Sequence, residues 1–356
     1  MIEMTMTTIW RVGRLEGGRL ATELREAAEL LRGGGVVAFP TETVYGLGAD
    51  ARSTAAVGRI FAAKGRPADN PLIVHIADRR QLDELALSPS ELAETLMDRF
   101  WPGPLTIVLP VREGVLSPLV TAGLATVGVR MPDHRTALAL LALAGCPVAA
   151  PSANRSGKPS PTLAEHVIED LDGLIDGVVD DGATGVGLES TVVELAGERT
   201  IRILRPGGVT RESLQLAVPG AVIDAASSEA PEEAPRSPGM KYAHYAPEGE
   251  LELVQGRPEA VVRYIREQAG AAQARGEATG VLAFEERLGL YAADHVYSLG
   301  SESELEAAAH RLYAALRGMD AGGVQRIWAE ACPERGIGAA LMNRMAKAAG
   351  HRIVTV

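Results

Sequence analysis

Cysteine, lysine and long apolar runs are all scarce in this chain, and each shortage removes a class of protein. Only two cysteines, Cys146 and Cys332, occur, far apart in sequence. Neither a disulfide framework nor a cysteine-based metal site is suggested, and both read as packed small side chains. No stretch reaches the roughly 18 consecutive apolar residues that a membrane span needs. The opening MIEMTMTTIWRVGR lacks the apolar core of a signal peptide. The expectation is a cytoplasmic protein with no membrane attachment. Lysine is confined to Lys64, Lys158, Lys241 and Lys347, so it is not the general solubilising residue. Three of the four fall in segments marked by glycine or proline. The formal net charge of −11 argues against a surface that grips nucleic acid mainly by neutralising phosphates, because that needs clustered positive charge. Also missing are a G-x-x-x-x-G-K-S/T phosphate loop, an H-E-x-x-H zinc pair and a G-x-S-x-G nucleophile elbow. No metal site is expected from the side chains.

What is present is ordinary globular material: 356 residues, 46% hydrophobic and 23% charged, enough for two domains. The stretch AASSEAPEEAPRSPG (225–239) has almost no large apolar side chain and reads as a linker. Before it, LATELREAAELLRGGG predicts a helix closed by glycines, followed by the strand VVAFP. Further strands are expected at LIVHI, LTIVLP, VGVRMP, PVAAP, GVVDDG, STVVEL and IRILRP, with helices around 53–64, 90–100, 135–144 and 161–171. This is one mixed α/β domain. After the linker, strands LELVQG, GVLAFEE, HVYSLG and VQRIWAEA alternate with helical PEAVVRYIREQ, ELEAAAHRLYAALRG and AALMNRMAKAAG. Such alternation predicts a parallel sheet with covering helices.

Several segments carry more polar chemistry than a connection requires. PTETVYGLGAD (40–50) follows the strand VVAFP and reads as a strand end turned into a loop. Gly46, Gly48 and Ala51 loosely match the dinucleotide fingerprint. The polar Thr41-Glu42-Thr43 favours a small-molecule pocket instead, against the plainer reading of a capped turn. AAKGRPADNPLIVHI puts Lys64 and Arg66 at a helix end, then Asn70, then His75 on a strand. One cation there suits the macrodipole; two cations, an amide and a histidine suit anion clamping better. In PVAAPSANRSGKPSPT, Ser152, Asn154, Arg155, Lys158 and Ser160 follow a strand. Ser160 is expected to cap a helix whose first residue is Pro161, making a cradle for phosphate. Arg130 sits in the apolar ATVGVRMPDH. It is either paired with a carboxylate of the protein or reserved for a substrate's. Thr126, the run Glu189-Ser190-Thr191 and Arg205 complete the set. SPGMKYAHYAP (237–247) brings Lys241, Tyr242, His244 and Tyr245 together, either docking the tether onto a domain or closing as a lid. Near the end, Arg335–Ala340 reads as a glycine-rich helix start.

Taken in order, PTETVYGLGAD, KGRPADNPLIVHI, WPGPLTIVLP, VGVRMPDH, APSANRSGKPSPT, LESTVVEL and ILRPGG resemble the YrdC-type threonylcarbamoyl-AMP synthases. SPGMKYAHYAP and the second α/β part are similar to the long form of that family. The resemblance implies a YrdC-like twisted mixed sheet with helices and an open cationic cavity over 1–224. A linker and active-site lid over 225–248 and a smaller Rossmann-like parallel α/β domain over 249–356 would follow. It implies a nucleotidyltransferase that joins L-threonine, bicarbonate and ATP into L-threonylcarbamoyl-AMP and pyrophosphate, with Mg²⁺ on the phosphates. The product would pass to a tRNA threonylcarbamoyl transferase, with a weak contact to tRNA. It assigns Thr43, His75, Arg130, Ala150 and Ser190 to threonine. Lys64, Arg66, Asn70, Thr126, Ser152, Asn154, Ser160, Arg205 and Tyr245 go to ATP, with Lys64 and Arg66 catalytic. Two rivals are an RNA-binding module, which the acidity disfavours, and an enzyme that adenylates carbamate itself.

Overall fold

The computed structural model describes residues 6–13, 15–225 and 244–356, and the statements below concern these. The proline-rich stretch after 225, together with Lys241 and Tyr242, lies outside them. The chain divides into two compact units. The first comprises Met1–Ser156, Pro161–Gly185 and Glu189–Lys241, the second Gly157–Ser160, Val186–Leu188 and Tyr242–Val356.

The first unit is built on eleven strands: β1 (Thr8–Arg11), β2 (Val37–Phe39), β3 (Gly46–Asp50), β4 (Ile73–His75), β5 (Leu105–Pro110), β6 (Thr126–Arg130), β7 (Val148–Ala149), β8 (Gly177–Asp180), β9 (Thr191–Leu195), β10 (Thr200–Arg205) and β11 (Val222–Ala225). Their order across the sheet is β1-β8-β2-β3-β7-β4-β6-β5-β9-β10-β11, with parallel and antiparallel pairs mixed. One apolar cluster packs Ile60, Leu96, Leu105, Ile107, Val127 and Val129 together, and a second packs Leu24, Leu31, Val37, Phe39, Leu140 and Val148. Such side chains contribute about 1.5–3 kcal/mol each when fully buried. Strands covered on both faces read as unbroken apolar runs, which is why VVAFP and LTIVLP were visible in the sequence.

Three local expectations need correction. The glycine-rich run Gly46–Asp50 is strand β3, not a loop, and pairs antiparallel to β2. A Cβ on Gly48 would lie 2.7 Å from both Phe39 and Val148 side chains, so its glycine serves close packing inside the sheet and not approach to a phosphate. The helix expected from Pro161 begins at Ala164, with Leu163 and not Ser160 at its N-cap position. The carbonyl of Pro161 accepts from Tyr45 N–H and that of Thr162 from Thr184 N–H, which holds this stretch out of the helix. The first predicted helix starts earlier and is interrupted at Leu24, giving Gly17–Glu23 and Arg25–Arg32.

The second unit holds β12 (Glu250–Gln255), β13 (Thr279–Ala283), β14 (His295–Ser298), β15 (Arg326–Glu330) and β16 (Ile353–Thr355) in a sheet ordered β14-β13-β15-β12-β16. Every pairing is parallel, as the alternating pattern predicts, and helices Pro258–Ala274, Leu305–Ala321 and Gly338–Ala348 connect the strands. Within this unit Tyr245 is buried, with a left-handed φ of 67° and its ring 5.4 Å from that of Tyr313. The Arg344 guanidinium lies 5.4 Å over the Tyr245 ring. Among the described residues no helix is long and apolar enough to cross a membrane.

Candidate active site

Strand alternation sorts the middle of the first sheet into a face that enters the main core and a second face, where polar side chains sit beside a small apolar cluster of Ile73, Val108 and Val192. Val74 of β4, Val127 and Val129 of β6 and Leu105, Ile107 and Leu109 of β5 all enter the main core. The intervening positions are Ile73 and His75, then Thr126, Gly128 and Arg130, then Thr106 and Val108. His75 and Arg130 are register partners on the parallel pair β4–β6. Gly128, opposite Ile73 on the same pair, packs closely against β5: a Cβ there would lie 3.1 Å from Thr106 Cγ2. Ile73, Thr106, Thr126 and Gly128 line one recess.

His75 is buried, with Nδ1 3.3 Å from the carbonyl of Ile73 and its ring edge-on to Phe39. Burial, and secondarily the positive charge of Arg130, lowers its pKa to about 3. It is therefore a neutral imidazole at physiological pH, suited to hydrogen bonding and not to carrying charge. Arg130 is also buried and forms an ion pair with Glu42, Nη2 to Oε2 2.6 Å. The open alternative from the sequence thus resolves, in this structure, to a carboxylate of the protein. Glu42 belongs to the turn after β2, where Thr41 Oγ1 accepts from the N–H of Thr43 and Val44 and lies 2.9 Å from Thr43 Oγ1. Thr43 is wholly buried.

Lys64 ends the helix Thr54–Lys64, which Ser53 caps and left-handed Gly65 terminates. Its helical position carries it inward. Nζ donates to the carbonyls of Ser152 (2.5 Å) and Asn154 (2.6 Å), tying the helix end to the loop after β7. Ser152 bridges to Gly46, and Ala150 N–H donates to Ile73, so the loop is also fixed to β3 and β4. Arg66 Nη2 donates to the carbonyl of Asn70 at 3.3 Å. Asn70 is fully buried, yet neither its amide oxygen nor its nitrogen has a hydrogen-bond partner among the described residues. An orphaned buried amide costs about 1–3 kcal/mol unless a partner completes it.

The third group forms around Ser190. Its Oγ is 2.8 Å from Thr106 Oγ1, and Arg205 donates to both its carbonyl (Nη2, 3.0 Å) and its Oγ (3.2 Å). Predicted residues of the first unit therefore fall mostly into three groups: Thr43, His75 and Arg130; Lys64, Arg66, Asn70, Ser152 and Asn154; Ser190 and Arg205. Thr126 lines the recess with Ile73 and Gly128, and Ala150 is hydrogen-bonded to Ile73. Ser160 and Tyr245 are buried in the second unit. Sequence reading named Glu42 only within the polar Thr41-Glu42-Thr43 and gave it no role, and it did not name Thr106. The signal for Thr106 was available, since it is the lone hydroxyl inside LTIVLP on the second face. Glu42 gave none beyond lying between two threonines.

A family model covering Sua5, YciO and YrdC proteins, described as telomere recombination, matches residues 29–207. A second, described as the threonylcarbamoyl-AMP synthase C-terminal domain, matches residues 209–350. The threonylcarbamoyl-AMP synthase of Bacillus subtilis (strain 168) is 53% identical over 332 residues, covering 93% of this chain and 94% of its own. The chain belongs to the threonylcarbamoyl-AMP synthase family. The family's Pyrococcus abyssi (strain GE5 / Orsay) member is 49% identical, over 94% of this chain and 96% of that one. A solved structure of P. abyssi Sua5 complexed with L-threonine superposes with a TM-score of 0.90 at 47% identity, covering 99% of this chain and 100% of that one. Family membership accounts for both units and for the mixed and parallel sheets.

Proposed function

We propose that the chain is an L-threonylcarbamoyladenylate synthase. It would join L-threonine, bicarbonate and ATP to give L-threonylcarbamoyl-AMP, pyrophosphate and water. The observation that carries the reading is that second sheet face, where buried Arg130 and neutral His75 adjoin a carboxylate and hydroxyls, in a chain 53% identical to a named synthase. A small zwitterion with a hydroxyl group matches that chemistry.

Threonine's amine takes up carbon dioxide or bicarbonate as a carbamate, and a carbamate oxygen then attacks the α-phosphorus as pyrophosphate leaves. Charge accumulates on phosphoryl oxygens, so positioning and cations lower the barrier without a protein nucleophile. Thr43, His75, Arg130, Ala150 and Ser190 would hold threonine. Lys64, Arg66, Asn70, Thr126, Ser152, Asn154 and Arg205 would hold ATP, with Lys64 and Arg66 countering the developing charge. Contacts to ATP from Ser160 and Tyr245, and a domain boundary at a lid-bearing linker over 225–248, rest on the resemblance alone. Among the described residues no group of three or more His, Cys, Asp or Glu could hold a metal. Mg²⁺ would be carried on the nucleotide phosphates with retained water. Cytoplasmic action, delivery of the product to a tRNA threonylcarbamoyl transferase and a weak tRNA contact follow from the same reading.

The test is steady-state pyrophosphate release from ATP and Mg²⁺, with threonine and bicarbonate each supplied or withheld. Release that requires both supports the reaction. Release that ignores either one rejects it.

A further inference from the structure

The Glu42–Arg130 pair is incomplete in a way that identifies a ligand. Their side chains are only 12% and 5% exposed, and their nearest atoms are 2.6 Å apart. Beyond that contact, neither Glu42 oxygen, nor Nε or Nη2 of Arg130, makes a hydrogen bond among the described residues. Taking two charges out of water is compensated only when further hydrogen bonds complete each partner. Neighbouring groups do not supply them. Thr43 Oγ1 pairs with Thr41, and the His75 imidazole is neutral and turned to the carbonyl of Ile73.

A buried carboxylate and a buried guanidinium, side by side with unused bonding capacity, complement the two charged ends of an α-amino acid. We infer that Glu42 is a specificity residue that binds the substrate's α-ammonium while Arg130 takes its carboxylate. This rests on the function proposed above and adds a residue to it. Pair and zwitterion are each neutral, so binding inserts the ligand without leaving a net buried charge. The empty-state contact then has a second effect. An acid without an ammonium must displace Glu42 from Arg130 and strand its carboxylate unpaired, so Glu42 guards Arg130 against simple hydroxy acids.

The experiment compares calorimetric binding of L-threonine and (R)-3-hydroxybutyrate, which keeps the carboxylate, hydroxyl and methyl and lacks the ammonium. It uses the full chain without ATP, as wild type, Glu42→Gln and Glu42→Asp. Wild type should prefer threonine by at least about tenfold, the scale of one charged hydrogen bond. Glu42→Gln should weaken threonine by a similar factor while hydroxybutyrate binds equally well or more tightly, because Arg130 is released. Glu42→Asp, with its charge drawn back by one methylene, should retain part of the preference. A purely structural Glu42 would weaken both ligands alike in both variants, which overturns the inference. Should Glu42→Gln not fold, wild type alone decides, since equal binding of the two acids overturns it. Wild type that binds neither acid removes the proposed function, and the inference with it.

Discussion

Lys64→Ala separates what the lysine does for the fold from what it does for turnover. Its ammonium donates to two loop carbonyls at 2.5 and 2.6 Å. Hydrogen bonds to a charged group contribute about 1.5–3 kcal/mol each, so the pair is worth about 3–6 kcal/mol. Ser152 is only half-buried, and water can reach its freed carbonyl, which favours a loss near about 3 kcal/mol. For a unit of this size each kcal/mol moves Tm by about 2–4 °C, so scanning calorimetry should show a fall of about 6–12 °C. Below that midpoint the folded variant should lose turnover more than threonine affinity, since threonine is assigned to a different cluster. A Tm within about 2 °C of wild type would refute the tethering role. Unchanged turnover would remove Lys64 from the chemistry.

His75 makes stability depend on pH in a stated direction. Its folded pKa, about 3 through burial and then Arg130, lies below the usual histidine value of 6.5. Protons therefore favour the unfolded chain, and the stabilisation present above pH 6.5 drains away as pH falls towards 3. Urea midpoints should show wild type losing about 2 kcal/mol more than His75→Gln between pH 7 and 5; parallel losses would contradict the assignment. Gly48→Ala should cost about 1–3 kcal/mol by overpacking, because its Cβ would lie 2.7 Å from Phe39 and from Val148. A melting temperature equal to wild type would show that the sheet yields there.

Much of this architecture could be read in advance because its signals are local. Apolar runs ended by proline gave β2 and β5, and Ser53 with Gly65 bounded the helix that delivers Lys64. β3 was hidden because glycines inside a strand look like a loop until Phe39 and Val148 press against them from other strands. The late helix start at Ala164 depends on long-range bonds from Tyr45 and Thr184 to the chain before it. The site shows the same division. Residue types gave Lys64, His75 and Arg130 as candidates, whereas no sequence period places Glu42 against Arg130 or Thr106 against Ser190. Those contacts arise from a turn after β2 and from sheet order, both set by distant segments.

The most direct measurement supplies ¹³C-bicarbonate with ATP and L-threonine and identifies the nucleotide product by mass spectrometry and ¹³C NMR. The proposed chemistry predicts an AMP adduct that contains threonine and a single labelled carbonyl, formed in step with pyrophosphate. Pyrophosphate accompanied by unlabelled AMP, or by an adduct without threonine, would contradict it.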